Sequence, residues 1–426
     1  MNEKVQEQYL AILKEELVLA TGCTEPIAIA YCAAHLRQVL GALPERVVAE
    51  LSGNIIKNVK SVVVPNTGNL RGIEAAIAVG LVAGKPEAGL QVIAEVTEAE
   101  TPAIRDYLAQ TPIEVCCASS PCVLDITLHG YHGKDHAVVR IANNHVNIVY
   151  KALNDEALVR LPVSVSPEDQ LTDKSCLNVE DIVRFADTVP LEKLEPLIEP
   201  QIQYNTAIAE EGLRGSWGAQ IGKILMEDYA GDRDIKTEAR AWAAAGSDAR
   251  MSGCEMPVVI LSGSGNQGIT ASLPVIRYAK RLDATREQLY RALALADLVT
   301  IHQKTGIGRL SAYCGAISAG VGAGAGICYL YGGGYTAVAH TVVNALAILS
   351  GTICDGAKPS CAAKIAAAVD AGIMGYRMYL HHKEFHSGEG IVAGTVDRTI
   401  ANVGILAQQG MLETDRTILE IMQQES

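Results

Sequence analysis

Three cysteines frame the one long stretch of this chain that carries no charge. From Leu310 to Cys354 there is no Asp, Glu, Lys or Arg; Cys314 lies near the start, Cys354 closes it and Cys361 follows. Gly332-Gly333-Gly334 splits the stretch into two apolar halves. If the halves are antiparallel helices, the chain returns Cys354 to the end where Cys314 began. Cys354-Asp355-Gly356-Ala357-Lys358-Pro359-Ser360-Cys361 places two thiols on a Gly/Pro-containing turn, so three thiolates can converge. Thiolates hold iron–sulfur clusters, and three of them on a four-iron cluster leave one iron free to act as a Lewis acid. Zinc competes, with His340 as a fourth ligand. The spacing matches neither a ferredoxin nor a zinc finger. Buried free cysteine is also a common small hydrophobe, and most of the eleven cysteines are expected to be that. From spacing alone, both readings stay open.

Cys23 precedes Thr24, a good N-cap for a helix with Pro26 in its first turn. The helix dipole there favours thiolate, and Glu25 opposes it. A thiol at this place can act as base, nucleophile or ligand, or be a small residue tucked at a helix start.

A second candidate is the glycine-rich loop Ser262-Gly263-Ser264-Gly265-Asn266-Gln267-Gly268, which follows the strand-like run from Met256 to Leu261. Its glycines match the dinucleotide fingerprint, but that fingerprint needs a second strand after the helix. Here another helix follows, from Ala284 to Thr300, which excludes a Rossmann reading. The remaining reading is backbone N–H groups turned toward a carboxylate or phosphate at a helix start. Ser264, Asn266 and Gln267 add side-chain donors; a tight connecting loop is the plain alternative. Polar turns at Ser52-Gly53-Asn54 and Pro65-Asn66-Thr67-Gly68 are ordinary turns when taken singly. Lys57 near the first is a charge partner or simply solvated. We carry Asn54, Lys57, Asn66 and Thr67 forward with the loop as candidate substrate contacts. Cys116, Cys117 and Cys122 read as core filler. His382 and His386 have helical i, i+4 spacing but no third ligand. Lys304-Thr305-Gly306 matches part of the penicillin-binding set, yet the chain has no Ser-x-x-Lys.

The elements that would position these residues read as α+β. Residues 4–20 are helical in period, and a second helix runs from Thr24 to about Leu40. Strand-like runs follow at 46–51, 61–64, 90–96, 113–117, 122–129, 136–142 and 146–150, with helices at 70–84 and 101–109. Beyond Cys176 the pattern turns helical, at 178–187, 191–230 and 236–246, and nearly everything after the 256–262 run is helical to 424. The expected organisation is a mainly helical catalytic domain, residues 1–44 and 190–426, with a smaller α+β domain at 45–189 inserted in it.

Composition narrows the class. Apolar residues make up 49% and charged ones 19% of 426, which excludes a disordered chain. The formal net charge of −13 argues against a nucleic-acid surface, which needs clustered cations. The uncharged halves are long enough to cross a bilayer, but they are Ala- and Gly-rich and lack aromatic belts, so a buried hairpin is expected and no membrane. The charged N-terminus has no secretory leader pattern, which points to the cytoplasm and away from structural disulfides. An Ala/Gly-rich surface would suit a homodimer.

Taken together, Gly22-Cys23-Thr24-Glu25-Pro26, Ser262 to Gly268, Cys314, and Cys354-Asp355-Gly356-Ala357 with Cys361 resemble the L-cysteine desulfidase family, itself related to the alpha subunit of iron–sulfur L-serine dehydratases. The resemblance runs from Cys23 to Ile391. It implies a [4Fe–4S] lyase without pyridoxal phosphate, with Cys314, Cys354 and Cys361 as cluster ligands and Cys23 at the active site. The implied reaction converts L-cysteine to hydrogen sulfide, ammonia and pyruvate; L-serine is the alternative substrate. In such a site Cys23 as thiolate is our candidate base for the α-proton, and the Ser264–Gln267 loop would hold the substrate carboxylate. Two other classes compete: a pyridoxal-phosphate lyase with its Schiff base on Lys57 or Lys358, and a metal-binding protein without enzymatic activity.

Overall fold

The computed structural model describes residues 2–21, 23–120, 122–163, 172–228, 234–308 and 311–424. The chain opens with helix α1 (Glu3–Glu16) and continues directly as strand β1 (Leu17–Thr21). The expected helix over 4–20 is therefore shorter. Leu17–Thr21 pairs antiparallel with a strand far along the chain, Pro257–Leu261, and helical periodicity does not reveal a partner so distant.

Helix α2 (Thr24–Leu40) leads into an α+β unit. It comprises β2 (Arg46–Leu51), α3 (Gly53–Val59), α4 (Gly72–Ala83), α5 (Thr101–Gln110), β3 (Ile113–Cys117), β4 (Asp125–His132), β5 (Asp135–Ala142), β6 (Ile148–Leu153) and β7 (Glu156–Arg160). The six strands form one sheet in the order β3-β2-β4-β5-β6-β7, antiparallel except for the parallel β2–β3 pair. Alternating burial along β2 and β5 gives the sheet one covered and one open face. Ile27, Ile29, Leu36, Ile77, Leu128 and Val139 meet in this unit's core. So α2, grouped with the helical part by its period, buries its apolar side against the sheet.

Two expected strands are absent. At 61–64 there is only a single bridge, between Val63 and Arg71, and residues 86–91 form a 3₁₀ turn. Both runs are apolar because they are buried, not because they pair. Strand β7 and helix α3 went unforeseen; α3 is too short to show a period.

The helical unit follows: α6 (Val179–Thr188), α7 (Leu191–Arg214), α8 (Ile221–Asp228), α9 (Ile235–Met251), β8 (Pro257–Leu261), α10 (Gly265–Arg281) and α11 (Arg286–Ile307). The single helix expected over 191–230 is broken after Arg214, where Gly215 caps it. Next come α12 (Gly315–Leu330), α13 (Tyr335–Ile348), α14 (Cys361–Leu380), α15 (Val396–Ile405) and α16 (Leu412–Gln424). As expected, α12 and α13 form a helical hairpin whose apolar residues pack into the helical core. Small residues allow the close approach: a Cβ on Gly324 would lie 2.4 Å from the Gly372 carbonyl oxygen on α14. Among the described residues no helix is long and apolar enough to cross a membrane.

Candidate active site

The hairpin does what the cysteine spacing asked of it. The Cys314 N–H donates to the Thr352 carbonyl (3.1 Å), the Cys354 N–H donates to that of Ala312 (2.6 Å), and Tyr313 and Ile353 form an antiparallel bridge. Cys314 caps the start of α12, and Cys354 is locked beside it by backbone, independent of side-chain packing. The turn from Asp355 to Ser360 then sets Cys361 at the first position of α14. Gly356 makes that turn feasible. Its φ is +98°, and a Cβ there would lie 2.3 Å from the Lys57 carbonyl oxygen, so the turn seats directly on the backbone of α3. Asp355 fastens it: burial raises its pKa, but ion pairs with Lys358 and Lys364 more than offset this and hold the carboxyl down at about 2.

Cys314, Cys354 and Cys361 all line one cavity of about 680 Å³, and so does Cys23. Burial pushes the Cys314 thiol up to about 12, and the neighbouring Cys354 and Cys361 add to this while Lys364 opposes it. Burial likewise raises Cys361. A bound cation would favour the ionised form of thiols gathered in this way, as a thiolate metal site requires. Among the described residues no three His, Cys, Asp or Glu side chains come close enough to share one metal ion. A cluster does not ask for this, since each thiolate binds a different iron. The soft donor set and the shared cavity fit an iron–sulfur cluster. They do not fit zinc with His340, which lies on α13, pairs with Glu384 and does not line the cavity.

Cys23 is 2% exposed and packs with Val62, Met251, Ala357 and Cys361. It is the N-cap of α2, one residue earlier than expected, and its side chain makes no capping bond. The thiolate expectation is reversed. Burial dominates and pushes the thiol up to about 12; the Arg250 guanidinium works against this, and the Glu25 carboxylate adds to it. Thr24, released from capping, places its hydroxyl 3.0 Å from the Gly263 carbonyl and 3.1 Å from Glu25 Oε2, joining α2 to the glycine-rich loop. Gly22 of the motif lies outside the described residues.

The loop turns through Ser262 (φ +49°) and Gly263 (φ +80°) before Ser264 caps α10. No parallel strand flanks β8, which pairs only with β1 among the described residues, in keeping with the rejection of a dinucleotide fold. Ser264, Asn266 and Gln267 all line the cavity. Gln267 is buried, its Oε1 accepts no hydrogen bond among the described residues, and its side chain lies against Gly315, next to Cys314.

The other candidate contacts divide. Asn54 lines the cavity from the start of α3. Lys57 does not; it is buried in an ion pair with Asp415 of α16. Asn66 donates to the Ile93 carbonyl (2.7 Å) and Thr67 to that of Val64 (2.7 Å), so both serve local loop structure and neither reaches the cavity. With Lys57 and Lys358 both held by aspartates, neither lysine named for a Schiff base is presented to the cavity. His382 and His386 lose their helical spacing, because α14 ends at Leu380.

Sequence reasoning missed several wall residues. Arg250 lies in the last turn of α9 and is 4% exposed; its Nη1 donates to Asn266 Oδ1 (3.2 Å). Lys304 and Tyr313 are buried in the wall, His145 reaches it from the β5–β6 connection, and Met411, Leu412 and Asp415 cover it from the start of α16. A lone Arg or Tyr inside a helical pattern carries no signal of its own; only the fold brings it to the site.

The model of the serine dehydratase alpha chain matches residues 87–420. The chain belongs to the serine dehydratase alpha chain family. It is 56% identical to a UPF0597 protein of Desulfitobacterium hafniense over 99% of this chain and 97% of that one. It is 45% identical to a UPF0597 protein of Treponema denticola (99% of both chains) and 47% identical to one of Finegoldia magna (98% and 99%). Within this serine dehydratase-like lyase family, Cys314, Cys354, Cys361 and the 262–268 loop fall inside the matched region; Cys23 precedes it.

Proposed function

We propose that this chain is a β-elimination lyase that converts L-cysteine and water to pyruvate, ammonia and hydrogen sulfide. The observation that carries the reading is the convergence of Cys314, Cys354 and Cys361 on a cavity that also holds Cys23 and the 262–268 loop. Those three cysteines would hold a [4Fe–4S] cluster. When bound, it supplies a Lewis-acidic iron that eases departure of the β-substituent.

The chain's own residues do the rest. Ser264, Asn266 and Gln267 offer donors at a helix start, which suits the substrate carboxylate. Cys23 is proposed to exchange the α-proton at Sγ. Its burial favours the thiol and Arg250 favours the thiolate, so proton residence there depends on what fills the site. Loss of the α-proton and of the β-thiol leaves aminoacrylate, which tautomerises and hydrolyses in water to pyruvate and ammonia.

L-Serine, which would lose water instead, is the second reading; the family relationship favours it. The deciding experiment is anaerobic purification, with iron and acid-labile sulfide counted beside pyruvate formation from both amino acids. About four irons per chain are expected, with faster turnover of L-cysteine. A Cys354→Ala variant that keeps full iron and full activity overturns the proposal.

A further inference from the structure

The cavity wall around Cys23 contains two opposite charges that do not satisfy each other. Arg250 is 4% exposed, its Nε has no acceptor, and no carboxylate lies within 4 Å of its guanidinium among the described residues. Its one hydrogen bond among the described residues is to a neutral group, Asn266 Oδ1 at 3.2 Å. Burying a guanidinium without a counter-charge is costly. The fold nonetheless makes room for it, since a Cβ on Gly265 would lie 2.2 Å from Arg250 Nε. Glycine at the head of α10 lets the guanidinium lie against the loop.

Glu25, two residues along the chain from Cys23, lines the same cavity. Its partners are also neutral: Thr24 Oγ1 at 3.1 Å on Oε2, and Asn58 Nδ2 at 3.4 Å on Oε1. No cation lies within 4 Å of its carboxylate among the described residues. Both side chains line the cavity, and both act electrostatically on Cys23, in opposite directions.

We infer that Arg250 and Glu25 form a clamp for a zwitterion: Arg250 supplies the charge that takes the α-carboxylate beside the Ser264–Gln267 donors, to which it is joined through Asn266, and Glu25 takes the α-ammonium of a free amino acid, holding its α-carbon over Cys23. This deepens the lyase reading and rests on it for the reaction, though not for binding. The clamp admits amino acids with both groups free. It disfavours peptides, N-acyl amino acids and hydroxy acids, each of which leaves one of the two charges unpaired.

Equilibrium binding to the anaerobically prepared protein, measured by calorimetry, tests the pairing without turnover. The probes are L-alanine, with both charges but no leaving group; 3-mercaptopropionate, without the ammonium; and cysteamine, without the carboxylate. Arg250→Met should weaken L-alanine and 3-mercaptopropionate by roughly 10–100-fold and leave cysteamine within about twofold. Glu25→Gln should weaken L-alanine and cysteamine by a similar factor and spare 3-mercaptopropionate. Arg250→Lys keeps the charge without the fork, so it should fall between wild type and Arg250→Met, and it reads the same pairing if the methionine variant does not fold. Equal loss of both single-charge probes in either variant, no loss in either, or no binding of L-alanine by the wild type overturns the clamp. Selective loss without pyruvate from any amino acid would remove the lyase proposal and leave the clamp standing. Normal pyruvate formation with unselective loss would do the reverse.

Discussion

At the scale of the residue, the most consequential neighbour of Cys23 is Arg250, which stands with it at the cavity wall. Cys23→Ala is expected to keep the cluster and abolish pyruvate formation, because the proposed proton carrier is lost while the three ligands stay. Iron analysis alongside turnover checks this, and loss of iron would make Cys23 a ligand instead. A second prediction concerns a residue far from the chemistry. Asp297 is wholly buried on α11, where burial pushes its carboxyl up to about 7 although Gln201 donates to it at 3.0 Å. Among the described residues its Oδ2 and the Gln201 Oε1 have no hydrogen-bond partner. A protonated Asp297 can supply the missing hydrogen between them. The folded pKa is above the unfolded one, so this stabilisation is full below about pH 4 and is lost as pH rises toward about 7. Asp297→Asn should flatten the fall in urea midpoint across that window and raise the midpoint at about pH 8.

At the scale of the element, two contacts tie the α+β unit to the site. One is Gly356 against the Lys57 carbonyl. Gly356→Ala must clear that clash and also abandon φ +98°, so the turn carrying Cys354 and Cys361 has to move. The expected result is a folded protein with most of its iron lost, read by metal analysis and circular dichroism. The other is α16, which lies on α3 through the buried Lys57–Asp415 ion pair and through Leu419 against Gly53. Removing one partner of a buried pair leaves the other charge uncompensated, at about 3–5 kcal/mol. Asp415→Ala is therefore expected to release α16, seen as faster amide exchange confined to 53–59 and 412–424. Uniform exchange rates across the chain would contradict it.

At the scale of the whole molecule, the site lies where the helical unit meets the α+β unit, and neither unit builds it alone. The thiols come from the helical part; Cys23, Asn54 and Asn58 come from around α2 and α3. A cluster bound there should bridge the start of α12, the turn after α13 and the start of α14, adding its binding energy to the fold. Iron-loaded protein should melt at a higher temperature than protein stripped by oxidation and chelation, with a larger gap than any shift produced by L-alanine.

Much of this was legible in the residues. The uncharged stretch with a glycine break announced a buried hairpin, because a run without charge has to be covered. The hairpin in turn required Cys314 and Cys354 to meet. The strand, turn and helix at 256–281 were readable from period and glycine spacing. The tertiary structure alone decided what depended on partners distant in the chain. Leu17–Thr21 became a strand because Pro257–Leu261 lies beside it. Lys57 turned away from the cavity because Asp415 supplies its counter-charge, and Arg250 entered the wall because Gly265 leaves it space. Local sequence fixes what a segment can form, since backbone propensity and burial pattern act over a few residues. Which side chains face one another across a cavity, and with what charge, is set by packing between segments that share no sequence neighbourhood.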